Sequence, residues 1–128
     1  MVRFSTMITL VQQYFSASAA RFPDKPALCC DQQSMRFGEA EAFTNAFARA
    51  LKATGAQRGQ LVPFFMAKSV NSMLSILSIL KADCAYVPVD VKSPAQRLAS
   101  ILLAAKASVV VVDDESRALF ESLVPADQ

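Results

Sequence analysis

The stretch Leu80–Arg97, LKADCAYVPVDVKSPAQR, constrains this chain more than any other. A helical run ends in it, Ala85-Tyr86-Val87-Pro88-Val89 reads as a strand, and Ser93-Pro94-Ala95-Gln96 opens a new helix. Ser93 is the expected N-cap, Pro94 sits at the first helical position where a missing donor does no harm, and Gln96 closes the box. The neighbouring segments follow the same alternation. Leu61–Met66 is an apolar run of strand length, and Ser69 can cap a helix over Val70–Lys81. Apolar residues cover most of that helix's circumference, so it is expected to be buried on more than one side. Leu98, Ile101, Leu102 and Ala105 make the buried stripe of the next helix. Val109–Val112 reads as a strand buried on both faces, and Asp113 or Asp114 caps a last helix over Glu115–Leu123, stopped by Val124-Pro125. Strand, helix, strand, helix, strand, helix predicts a parallel sheet with right-handed crossovers. Pro63 removes a ladder donor, so its strand needs an unpaired side or a bulge there.

Upstream, Thr9 and Gln12 fit a capping box. Leu10, Tyr14 and Ala17, with Val11 and Phe15 beside them, predict the buried stripe of a first helix ending before Phe22-Pro23. Ala27–Cys30 and Met35–Phe37 flank the polar Asp31–Ser34 and read as a small β-hairpin. Gly38–Gly55 predicts a helix with Ala40, Phe43, Phe47, Leu51 and Thr54 inward, Glu41, Asn45, Arg49 and Lys52 outward, and Gly55 as a left-handed C-cap.

With 53% hydrophobic residues among 128, the chain has material for a real core. The net charge of +2, without a Lys/Arg cluster, gives no footprint for nucleic acid. Cys29, Cys30 and Cys84 are an odd set without a Cys-x-x-Cys, and the chain has no histidine. They read as thiols in a reducing cytoplasm rather than as a disulfide frame or a metal site. The opening residues mimic a signal peptide, but Gln12 and Gln13 break its apolar centre. The run Ser69–Leu80 is too short to span a bilayer.

Gly38, Gly55 and Gly59 are the only glycines, so neither glycine-rich phosphate motif is present. Without histidine no Ser/His or Cys/His pair can form. Asp90, at a strand end where ligand loops lie, is the polar residue of most interest. The plainer reading has its carboxylate accepting from backbone N–H groups of the turn before Ser93. Asp113 and Asp114 read as caps rather than as metal ligands.

These residues together resemble the adenylate-forming (AMP-binding) superfamily: adenylation domains of non-ribosomal peptide synthetases, acyl-CoA synthetases and luciferases. Its pattern LKAGxAYVPLDPxxPxxR is matched here by Leu80, Lys81, Ala82, Ala85, Tyr86, Val87, Pro88, Asp90, Pro94 and Arg97. Arg21–Leu28 resembles its R-x-P-D-x-x-A-L entry, and Met35–Ala40 its LTYxEL motif. Gly55 and Gly59 resemble its GV-x-x-GD turn, and Phe65–Ser69 its E-[RK]-S segment. AYVPVD is nearer to peptide-synthetase adenylation domains than to acyl-CoA synthetases. Asp83 stands where the family has Gly, Val91 where it has Pro, and Gln60 where it has Asp.

The resemblance implies an α/β fold: a partial parallel, Rossmann-like sheet with helices on its faces plus a small N-terminal β-hairpin. It further implies that residues 1–128 are an incomplete N-terminal fragment of an adenylation domain. The family's phosphate loop, nucleotide-holding residues and catalytic lysine lie in later motifs. Hence no catalytic, cofactor-binding or metal residue is assigned, and no cofactor is expected in the fragment itself. The full-length parent is expected to use ATP and Mg to make an acyl-AMP for transfer to a thiol on a carrier protein. The fragment is expected to be inactive and cytoplasmic, without nucleic-acid or membrane partners, and to meet the remainder of the domain or a self-associating copy. The alternatives are a truncated non-enzymatic remnant acting as an interaction module, an acyl-CoA synthetase fragment, and a small nucleotide-binding Rossmann-like domain.

Overall fold

The computed structural model describes residues 7–124. The signal-like charge at Arg3 and the stop at Pro125 lie outside the described residues. The element order is α1 (Val11–Arg21), β1 (Pro26–Cys30), β2 (Gln33–Arg36), α2 (Phe37–Thr54), β3 (Leu61–Phe65), α3 (Val70–Lys81), β4 (Ala85–Val89), α4 (Ala95–Ala105), β5 (Val111–Val112) and α5 (Asp114–Leu123). The expected α/β architecture is present. β1 and β2 form an antiparallel hairpin, and β3, β4 and β5 form a parallel sheet in the order β4-β3-β5. Among the described residues no helix is long and apolar enough to cross a membrane.

β3 is therefore central, although it carries Pro63. The pairing with β4 runs its whole length, from Leu61↔Ala85 to Phe65↔Val89. The pairing with β5 covers only Phe64↔Val111 and Phe65↔Val112, so it starts one residue after the proline. The missing donor thus lies where that side of β3 has no partner strand, as the sequence requires. The expected four-valine strand shortens to two residues for the same reason. Val109 and Val110 have no ladder to join.

Alternation along β3 divides the apolar residues between two cores. Val62, Phe64 and Met66 pack with Leu51, Ile79 and Ala82 on the α2/α3 side. Phe65 packs with Val89 and Leu98 on the α4/α5 side, its ring edge-on to Phe120 at 5.8 Å. A third cluster joins Ala40, Val70 and Leu74 to Phe15 and to Leu28, Cys30 and Met35 of the hairpin. Helix α3 contributes Val70 and Leu74 to that cluster and Ile79 to the first, which explains its all-round apolar pattern. Each large side chain buried in this way contributes about 1.5–3 kcal/mol.

Two predicted stripes are rotated. On α2 the buried residues are Ala40, Thr44, Ala48 and Leu51, whereas Phe43 is 46% exposed. Small side chains let α2 approach α3 closely, and a phenyl ring would hold the helices apart. On α1 only Ala19 is buried; Leu10, Val11 and Tyr14 face outward at 47%, 72% and 63% exposure.

Two predicted caps are displaced as well. Gln13, not Gln12, reaches back at the α1 start: its Oε1 accepts from the N–H of Thr9 (2.8 Å) and of Leu10 (3.0 Å). Helix α4 begins with Pro94 as N-cap rather than Ser93, and no side chain caps it. The caps at Ser69, Asp113 and Gly55 stand as expected, the last at φ 117°.

Candidate functional site

In a parallel sheet the loops that follow the strand ends are the usual ligand positions. Here each of these loops is closed by its own hydrogen bonds. After β3, Ser69 Oγ accepts from the Ser72 N–H (3.1 Å), and Ser72 Oγ accepts from the Ser69 N–H (2.9 Å). After β4, Asp90 Oδ1 accepts from the Lys92 N–H (3.0 Å), and the Ser93 N–H donates to the Asp90 carbonyl (2.9 Å). This is the plainer of the two readings of Asp90. After β5, Asp113 Oδ1 accepts from the Ser116 N–H (2.8 Å). The starts of α3 and α5, where an anion would dock, thus hold oxygens of the chain itself.

Among the described residues no three His, Cys, Asp or Glu side chains come together as a metal site. Ser75 Oγ donates to the Asn71 carbonyl and Ser78 Oγ to the Leu74 carbonyl, so these hydroxyls bond back to their own helix. Cys29 is exposed, Cys30 half-buried and Cys84 buried, all as free thiols. Burial, and then the charge of Asp83, push the Cys84 thiol above its ordinary pKa. These residues do not fit a triphosphate or magnesium by themselves, and no step of a reaction is assigned to them.

The densest polar cluster is one that sequence reasoning missed. The Lys81 ammonium, on a side chain only 8% exposed, donates to Glu41 Oε2 (2.7 Å), Thr44 Oγ1 (2.8 Å) and Asn45 Oδ1 (3.0 Å). The Phe15 ring lies 5.8 Å from the same nitrogen. Burial pushes the Glu41 carboxyl up, but hydrogen bonds from Lys81, Ser16 and Asn45 and the Lys81 charge outweigh it. The net pKa lies below the ordinary value. A signal exists in the spacing: Glu41, Thr44 and Asn45 stand at i, i+3 and i+4, on one helix face. The stronger apolar signal of Phe43 and Phe47 points to a different face.

Three departures from the family pattern have structural answers. Asp83 adopts φ 62°, the left-handed region that its family's glycine suits. Gln60, where the family has Asp, accepts from the Gln57 N–H (2.9 Å) and the Ser108 hydroxyl (3.1 Å). Val91, in place of Pro, packs against the Phe65–Leu98 core.

The family described as AMP-binding enzyme matches residues 15–128. This chain belongs to that family. Among AMP-binding relatives, a linear gramicidin synthase of Brevibacillus parabrevis is 38% identical over 101 residues, covering 79% of this chain and 1% of that protein. Tyrocidine synthase 1 of the same organism is 34% identical over 101 residues, covering 79% of this chain and 9% of that protein. The chain therefore spans a small part of these relatives. The solved structure of the nonribosomal peptide synthetase FmoA3 with α-methyl-L-serine-AMP superposes with a TM-score of 0.83 at 30% identity, covering 87% of this chain and 13% of that one. The N-terminal subdomain of Klebsiella oxytoca NpsA superposes with a TM-score of 0.75 at 28% identity, covering 84% of this chain and 28% of that one. This AMP-binding segment thus corresponds to the N-terminal part of a peptide-synthetase-type adenylation domain.

Proposed function

We propose that this chain supplies the opening part of an ATP-dependent ligase that activates an amino or other carboxylic acid. In the parent, a carboxylate oxygen attacks the α-phosphorus of ATP, pyrophosphate leaves, and the acyl-AMP then passes its acyl group to a thiol of a carrier protein. ATP and magnesium belong to the parent. The residues present here act as scaffold: the parallel sheet, its two cores and the α2–α3 pair hold one face of the subdomain. The observation that carries the reading is the superposition on FmoA3 with α-methyl-L-serine-AMP, together with 38% identity to a gramicidin synthase.

A second reading, an interaction module without its own chemistry, draws support from one observation. β5 pairs on one edge only, and an apolar groove lined by Leu102, Leu103, Val110, Phe120 and Leu123 runs beside it between α4 and α5.

Immunoblotting of source-cell extract with antibody to this chain separates the two. A band far above 13.9 kDa, with amino-acid-dependent ATP–pyrophosphate exchange by that polypeptide and none by residues 1–128, supports the ligase. A band at 13.9 kDa with no exchange overturns it in favour of the module.

A further inference from the structure

The two edges of the parallel sheet are unequal. In a parallel ladder a residue turns both of its backbone groups to one side, and the next residue turns them to the other. The Ala85 N–H donates to the Gln60 carbonyl (2.9 Å), so Ala85, Val87 and Val89 face β3 while Tyr86 and Pro88 face away from it. Pro88 therefore removes a donor from the outer edge of β4, and that edge takes a further strand poorly. By the same alternation Phe64 faces β4. Its partner Val111 is then the β5 residue bonded to β3, and Val112 turns a donor and an acceptor to the open side. Beside that open side lies the groove of Leu102, Leu103, Val110, Phe120 and Leu123, with Leu103 72% exposed. The chain leaves α5 extended at Val124, in the wall of this groove (φ −104°, ψ 121°).

We propose, resting on the ligase reading, that the polypeptide following residue 128 in the parent forms the next strand of this sheet. It lies parallel to β5 on its open edge and fills the groove with its first apolar side chains. Handedness gives the direction. α3, which joins β3 to β4, packs on the Val62 and Phe64 side of the sheet; α4, which returns past β3 to β5, packs on the Phe65 side. Right-handed crossovers that travel in opposite directions lie on opposite faces, so both helices obey the rule. α5 packs through Leu119, Phe120 and Leu123 on the same side as α4. A right-handed connection through α5 therefore travels onward in the β4-to-β5 direction and arrives beyond β5, not beyond β4. The related fold has the material for it, because the chain covers only 28% of the N-terminal subdomain of NpsA. Side chains of the added strand that face α5 meet Val110, Phe120 and Leu123 and bury the apolar surface of the groove.

Photocrosslinking in the long polypeptide tests this, with p-benzoylphenylalanine placed at Leu103 and, separately, at Tyr86. The expected result is that the probe at 103 couples to the segment directly after residue 128 of the same polypeptide, and the probe at 86 does not. In the unsubstituted polypeptide the Val112 amide should exchange hydrogen roughly a hundredfold slower than in an unfolded chain. Capture at 103 of nothing, of a second copy, of another protein or of a distant domain overturns the strand. So does capture of the segment after 128 by the probe at 86, or a Val112 amide that exchanges as in an unfolded chain. The ligase reading is judged apart from this. Amino-acid-dependent ATP–pyrophosphate exchange by the same polypeptide leaves it standing when the strand fails, and a native polypeptide of 13.9 kDa overturns both.

Discussion

Replacing Asp83 by Gly and, separately, by Ala tests how far the left-handed backbone here is imposed by the fold. Asp83 sits at φ 62° between α3 and β4. Both of its backbone groups are engaged: its N–H donates to the Leu80 carbonyl (3.0 Å) and its carbonyl accepts from the Gly59 N–H (2.8 Å). The turn cannot relax without losing these bonds, so a substituted residue inherits the conformation. At an ordinary position Gly is less stable than Ala by about 0.5–1 kcal/mol, because it loses more freedom on folding. In the left-handed region the Cβ costs about 1–2 kcal/mol, which reverses the order. Combining the two effects, Asp83→Gly should exceed Asp83→Ala in stability by about 1 kcal/mol. Against wild type, the glycine variant should stay within about 0.5 kcal/mol, since relief of a strain that Asp tolerates better than Ala is offset by glycine's entropy. The Lys52–Asp83 pair at 3.4 Å adds little, with both side chains half exposed. Urea unfolding followed by circular dichroism measures this. With a slope of about 1–2 kcal/mol/M, the two variants' midpoints should separate by about 0.5–1 M at equal slope. An alanine variant as stable as the glycine variant refutes the reasoning.

Two further outcomes follow from the charged groups. The Glu41 carboxyl titrates below its ordinary value in the fold, so the stability it contributes is present above about pH 4.5 and is lost as pH falls through the folded value. Urea midpoints from about pH 6 to about pH 3 should therefore decline less steeply in Glu41→Gln than in wild type; parallel acid limbs would count against the cluster. Cys84 is buried with a raised thiol pKa, while Cys29 is exposed. Iodoacetamide at neutral pH should label Cys29 well before Cys84, as read by peptide mass spectrometry, and early labelling of Cys84 would contradict its burial.

Local rules in the chain determine a great deal of this protein. Ser69, Asp113 and Gly55 mark element ends because each satisfies free backbone groups by itself, or needs no Cβ, whatever surrounds it. Alternating strand and helix patterns give the parallel sheet, and Pro63 marks where its ladder stops. The resemblance of Leu80–Arg97 leads to the family for the same reason: that stretch is one contiguous unit. Tertiary structure alone decides which side of a helix is inside. Hydrophobic spacing turns Phe43 and Leu10, Val11 and Tyr14 inward. Close contact with α3 keeps the expected Ala40 inside and adds Thr44 and Ala48, while α1 turns Gln12, Phe15 and Ala19 toward the body. A lysine buried to 8% exposure cannot be read from Lys81 and its neighbours in sequence. Its partners lie about forty residues earlier, and only the packed helices bring one cation and its acceptors within hydrogen-bond reach.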